Sequence, residues 1–156
     1  MTLEFATVAY TLANLEVAGL EWKDIDEIPA EVGLRGDAFL IPLPDFITNF
    51  DVDRDSYGGG STALMTATYS VNYRLCYEPV GTNRNMSLKV YQGLTDMIGL
   101  ILDAVIKIDV FNTSKTEVVD VMPAPGCVTN FGVVNDPSDK SFFGADFEFA
   151  VKEFIN

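Results

Sequence analysis

A chain of 156 residues can bury a sizeable core without disulfides or a structural metal, and 48% hydrophobic against 21% charged residues is a globular balance, not that of a disordered acidic tail. Ten Lys and Arg against 23 Asp and Glu leave a formal charge of −13, which repels nucleic acid and anionic membranes and argues against a DNA-reading function. Histidine is absent, which removes the usual general base near neutral pH and the commonest metal ligand, and with them Ser-His-Asp, Cys-His and zinc chemistry.

The chain reads as one domain over 1–156. Its opening, "MTLEFATVAYTLANLEVAGL", carries Glu4 and Glu16, lacks the basic start of a signal peptide and is too short and charged to span a bilayer, so a cytosolic protein is expected. Leu3, Phe5, Val8, Ala9, Leu12 and Leu15 recur at the spacing of one helix face, with Thr2 able to cap it. Gly19 ends that pattern, and "GLEWKDIDEIP" reads as an exposed strand or turn. The run "AFLIPLPDFITNF" is too apolar for a free loop, while Pro42 and Pro44 exclude a helix and a central strand, so an edge strand or packed extended segment is predicted.

In "TALMTATYSVNYRLCYEP", Met65, Ala67, Tyr69, Val71, Tyr73, Leu75 and Tyr77 alternate with Thr66, Thr68, Ser70, Asn72, Arg74, Cys76 and Glu78. Period two over seven pairs predicts a strand with one buried face. At about 3.3 Å per residue it reaches roughly 45 Å, long enough for part of it to project from the body. "EPVGTNRN" is a turn. "MSLKVYQGLTDMIGLILDAVIKI" then places Leu88, Tyr91, Leu94, Ile98, Ile101, Leu102 and Val105 at helical spacing, with Asn85 or Ser87 as N-cap and Gly93 and Gly99 as weak or close-packing points. "TEVVDVMPAP" and "CVTNFGVV" are valine-rich strands broken by Pro123 and Pro125, "NDPSDKSFFG" is a turn, and "DFEFAVKEFI" alternates Phe147, Phe149 and Val151 against polar neighbours. The predicted fold class is α+β: one domain with helices packed on a largely antiparallel or mixed sheet, and a long projecting strand or hairpin.

The stretch "DVDRDSYGGGST" raises the question of a calcium loop. Asp51, Asp53 and Asp55 match positions one, three and five of an EF-hand, but Ser56 stands where the sharp turn needs glycine, and Thr62 where a bidentate glutamate is needed. A flexible acidic loop is the better description, and a small calcium-dependent binding module remains an alternative. "GGGST" lacks the lysine and spacing of a phosphate loop. Cys76 lies on the polar parity beside Arg74 and reads as a tolerated surface or interface thiol, and Cys127, in an apolar run, as a small core residue. Carboxylates are abundant, but none converges with another on a site. No enzyme activity, cofactor or metal is expected.

The N-terminal helix, "DIDEIPAEV", "FLIPLPDFITNF", the strand "ATYSVNYRLCYEPVG", the helix "MSLKVYQGLTDMIGLIL" and the terminal strand "GADFEFAVKEF" follow one another in an order that resembles the tail terminator proteins of long-tailed, lambda-like bacteriophages. The resemblance implies a structural virion protein assembled in the host cytoplasm, forming a homo-oligomeric, hexameric ring. Such a ring caps the tail tube by contact with the major tail tube protein, stops its polymerisation and meets a neck or head-completion protein. DNA passes through the lumen without specific binding. On this reading Asp51, Asp53 and Asp55 form an acidic loop facing the lumen or the tube, and Arg74, Glu78 and Arg84 are candidate subunit-interface charges. A head-to-tail stopper or other neck ring is the alternative within phage assembly.

Overall fold

A computed structural model describes residues 5–27, 38–55, 64–81, 87–107 and 119–155. In chain order these form α1 (Phe5–Ala13), β1 (Leu20–Trp22), a 3-10 turn (Ile25–Glu27), β2 (Ala38–Asp55), β3 (Leu64–Pro79), α2 (Leu88–Ile106), β4 (Val119–Asn135) and β5 (Ser141–Ile155). The five strands make one mixed sheet in the order β1-β2-β3-β5-β4, with only β1 parallel to its neighbour. This is the α+β class predicted.

The alternation of β3 sets the centre of the sheet. Tyr69, Val71, Tyr73 and Leu75 point to one face, where they meet Phe147, Phe149 and Val151 of β5, Leu40 and Phe46 of β2, and the buried faces of both helices. Each large apolar side chain buried there contributes about 1.5–3 kcal/mol relative to exposure. The long strand does not stand alone: β3 is paired with β5 from Met65↔Ile155 to Pro79↔Phe142, and on its other side with β2 as far as Asp55↔Leu64. β5, not β4, takes the central place next to β3, which makes β4 an edge strand.

Pro42 and Pro44 fall on an edge strand, one of the two placements that the prolines allowed. β1 pairs with β2 only from Ala38 to Leu40, so β2 is an edge strand from the first proline onward and the missing N–H groups cost no ladder bond. The β2–β3 register slips between Pro42 and Ile47, and Asn72 fills the gap by donating to the carbonyls of Asp45 and Phe46 and to Thr48 Oγ1. A second slip surrounds Asn49, whose φ of 55° places it in the left-handed region that asparagine tolerates. β4 repeats the device: Pro123 and Pro125 sit at or inside one slip, and Asn130 (φ 52°) inside another. The two valine-rich segments of the sequence are therefore one bulged strand.

α1 buries Val8, Ala9 and Leu12 as its spacing predicts; Leu3 and the Thr2 cap lie outside the described residues. Ser87 caps α2, its hydroxyl accepting from Val90 N at 3.3 Å. The face that α2 buries is Leu94, Met97, Ile101 and Val105, while Leu88 and Tyr91, expected in the core, are exposed. Gly93 is a close-packing point, since a Cβ there would strike the Tyr77 side chain; at Gly99 nothing lies within 4 Å. Beneath α1 and α2, Trp22 and Tyr73 pack edge to face at 5.4 Å, and among the described residues neither the indole N–H nor the phenol makes a hydrogen bond of good geometry. Burial raises the Tyr73 pKa well above its usual value.

Candidate functional surfaces

The acidic triplet is a strand segment, which corrects the loop expected from its composition. Asp51, Asp53 and Asp55 belong to β2 and pair with Thr68, Thr66 and Leu64 of β3. Asp51 and Asp53 are exposed with half-buried Val52 between them, and Asp51 Oδ1 accepts from Val52 N at 2.9 Å. An EF-hand loop lies between helices, and extended backbone from 51 to 55 cannot wrap a cation in that way. Among the described residues no cluster of three or more metal-ligating side chains occurs. The glycine run at 58–60 lies outside them.

Of the candidate interface charges, Arg74 and Glu78 stand in different surroundings. Arg74 is engaged within its own chain: Nε and Nη2 donate to Asp146 Oδ1 and Oδ2 at 2.7 and 2.9 Å, and Nη1 donates to the Asn135 carbonyl at 3.2 Å. Asn130 adds a third bond to Asp146, at 2.7 Å. This bidentate pair ties β3 to β5, and through Asn130 and Asn135 to β4, on the face away from the helices. The bond to Asp146 raises the Arg74 pKa further and fixes its charge. Glu78 is exposed and lines an open groove of about 1120 Å³ with Tyr77, Lys89 and Gly93 at the start of α2. Arg84 lies outside the described residues.

The cysteines exchange the roles expected of them. Cys76 is buried with Ile41, Val134 and Phe142 in a second small core on the face away from the helices, and burial pushes its thiol up to about 12. Cys127 is half-exposed on β4, with its pKa raised in the same direction by partial burial.

Five large apolar side chains that the sequence does not single out as functional remain between 39% and 57% exposed at the two edges of the sheet: Ile47 and Phe50 on β2, and Phe131 and Val133 on β4 with Tyr91 of α2. Phe50 stacks on Tyr69 at 6.0 Å, and Tyr91 stacks on Phe131 at 6.0 Å. Tyr69 belongs to the core under α1, and Val133 alternates with Val134, which points to the opposite face, so both groups lie on the helix side.

Comparison with protein-family models, with curated proteins and with solved structures finds no match for the chain. What the fold defines by itself is a mixed sheet with both helices on one face, and with exposed large apolar side chains on the helices (Tyr10, Leu88, Leu100 and Ile106) as well as at the sheet edges.

Proposed function

We propose that the chain is a structural protein of a long-tailed bacteriophage that assembles as a ring, caps the tail tube, ends its polymerisation and forms the seat for a neck or head-completion protein. The observation that carries this reading is the arrangement of elements. A short N-terminal helix, a long β2–β3 hairpin, a long helix and two long terminal strands follow one another, the strands in one sheet and the helices on its face, in the order on which the resemblance to tail terminators rests.

The acidic balance is compatible with a lumen through which DNA slides without adhering, because carboxylates repel phosphates. Asp51 and Asp53 are exposed on the hairpin, as a lumen-facing role would require. Adding the purified chain to a polymerising major tail tube protein tests the function. Tubes are expected to stop elongating and to carry a terminal ring in electron micrographs. Tube lengths that do not respond to the added chain would refute it.

A further inference from the structure

The sheet face turned away from the helices carries a hollow beside the Asn49 bulge. On that face the register sets side chains in rows across the strands: Asp51, Thr68 and Lys152 in one row, and Thr48, Ser70 and Ala150 in the next. Ser70 and Ala150 are small and adjacent, so the surface dips between longer neighbours. Asn49, held at a φ of 55° by the bulge, forms one wall, and its Nδ2 donates to Glu148 Oε1 at 3.4 Å. The hollow measures about 320 Å³, is mostly apolar, and is lined by Asn49, Thr68, Ser70, Ala150 and Lys152.

Two observations define what fits there. Ser70 is only 6% exposed, lines the hollow, and among the described residues its hydroxyl has no hydrogen-bond partner. A buried hydroxyl that reaches the surface through one opening bonds to whatever occupies that opening. The charges around it are unequal: exposed Asp51 and half-buried Glu148 stand against Lys152, which is already engaged. With its Nδ2 on Glu148, Asn49 keeps a carbonyl oxygen as acceptor, and the Ser70 and Thr68 hydroxyls add two more. An anion meets repulsion from both carboxylates and from a chain of net charge −13. An ammonium group brings a positive charge and three donors to these acceptors, and an aliphatic stem suits the apolar floor at Ala150.

We propose that this hollow binds a primary ammonium group carried on an aliphatic chain. Ser70 Oγ and Asn49 Oδ1 accept from the ammonium in the field of Glu148 and Asp51, and the aliphatic chain lies over Ala150. Two sources offer that chemistry, a free aliphatic amine and the lysine side chain of another protein. The hollow is built by one chain, so binding does not depend on assembly into a ring.

Saturation-transfer NMR with n-butylammonium as the probe and butyrate as the matched anion tests this, because it reads the small molecule whatever the size of the assembly. Contacts this few predict a dissociation constant on the order of 1 mM for butylammonium at low salt, and none measurable for butyrate. Ser70→Ala, which removes the buried acceptor, is expected to weaken binding about 10-fold. Lys152→Met removes the one cation at the rim and is expected to tighten it about 3-fold. Ala150→Leu fills the hollow and is expected to abolish binding; it serves where Ser70→Ala disturbs folding, with far-UV circular dichroism as the control. Putrescine and Nα-acetyl-lysine amide then separate the two sources: tighter binding of the first supports a free amine, and of the second a partner's lysine.

No saturable binding of butylammonium up to about 50 mM would overturn the site. Equal binding by wild type, Ser70→Ala and Ala150→Leu would also overturn it, since it would show only the diffuse attraction of an acidic chain for cations. Butyrate bound more tightly than butylammonium, and lost in Lys152→Met, would overturn the assigned ligand in favour of an anion.

Discussion

Replacement of Gly144 by alanine separates backbone freedom from steric space. Gly144 is not among the glycines with positive φ, so alanine adopts its backbone conformation without penalty and gains about 0.4–1 kcal/mol through a less disordered unfolded state. Space opposes that gain. A Cβ at Gly144 would lie 2.9 Å from the Leu75 carbonyl carbon and 2.9 Å from Val134 Cγ2, and closer still to the Leu75 carbonyl oxygen. Leu75 belongs to β3, held between β2 and β5, so its backbone has no free direction in which to move.

Overpacking costs about 1–3 kcal/mol and more where backbone is displaced, so the net loss is about 2–3 kcal/mol. For a chain of this size, that lowers the midpoint of thermal unfolding by about 5–10 °C. Gly99→Ala is the matched control: nothing lies within 4 Å of its Cβ, and a helix-interior alanine gains about 1 kcal/mol. Urea unfolding of the two variants beside wild type measures both. A Gly144→Ala protein as stable as wild type would refute the steric reasoning.

Removing Arg74 leaves Asp146, whose side chain is only 8% exposed, without its cation, and Arg74→Ala is expected to cost about 2 kcal/mol, reduced from the fully buried case because Arg74 is partly solvated; equal stability in urea would show the pair to be idle. At pH 8 one thiol, Cys127, should react with a disulfide reagent while Cys76 reacts only on unfolding, and two equally fast thiols would contradict the burial of Cys76. Because folding raises the Cys76 pKa from 9.0 to about 12, the unfolded chain releases this proton first as pH rises. The contribution is full below pH 9 and is lost between there and about 12, so wild type should lose stability over that window more steeply than Cys76→Ala. Tyr69 donates to the buried Glu153 at 2.8 Å, and Tyr69→Phe should lower stability by about 1–3 kcal/mol in the same urea assay.

What was legible in the sequence was whatever is written locally. The alternation of β3 and β5 records a sheet with one dry face, and Pro42 and Pro44 record an edge. Ser87 records a helix start. The misread features depend on partners distant in sequence. Asp51 to Asp55 have the composition of a loop, yet they are strand because residues 64–68 pair with them.

Cys76 has polar parity, but Ile41, Val134 and Phe142 converge on it from three other strands. Arg74 reads as a free charge until Asp146, 72 positions away, is placed opposite it. Leu88 and Tyr91 keep helical spacing with the core residues. They stay exposed because Leu88 faces the open groove at the start of α2 and Tyr91 stacks on Phe131 at the edge of the sheet. The β3-β5-β4 order has no local signature at all.

The central claim is that the chain assembles into a closed ring. Its most direct test is the solution mass over a wide concentration range, followed by electron microscopy of the largest species. The account predicts a discrete particle near six times the 17.1 kDa chain mass with an axial hole. A monomer at every concentration, with no ring on tail tubes, would contradict it.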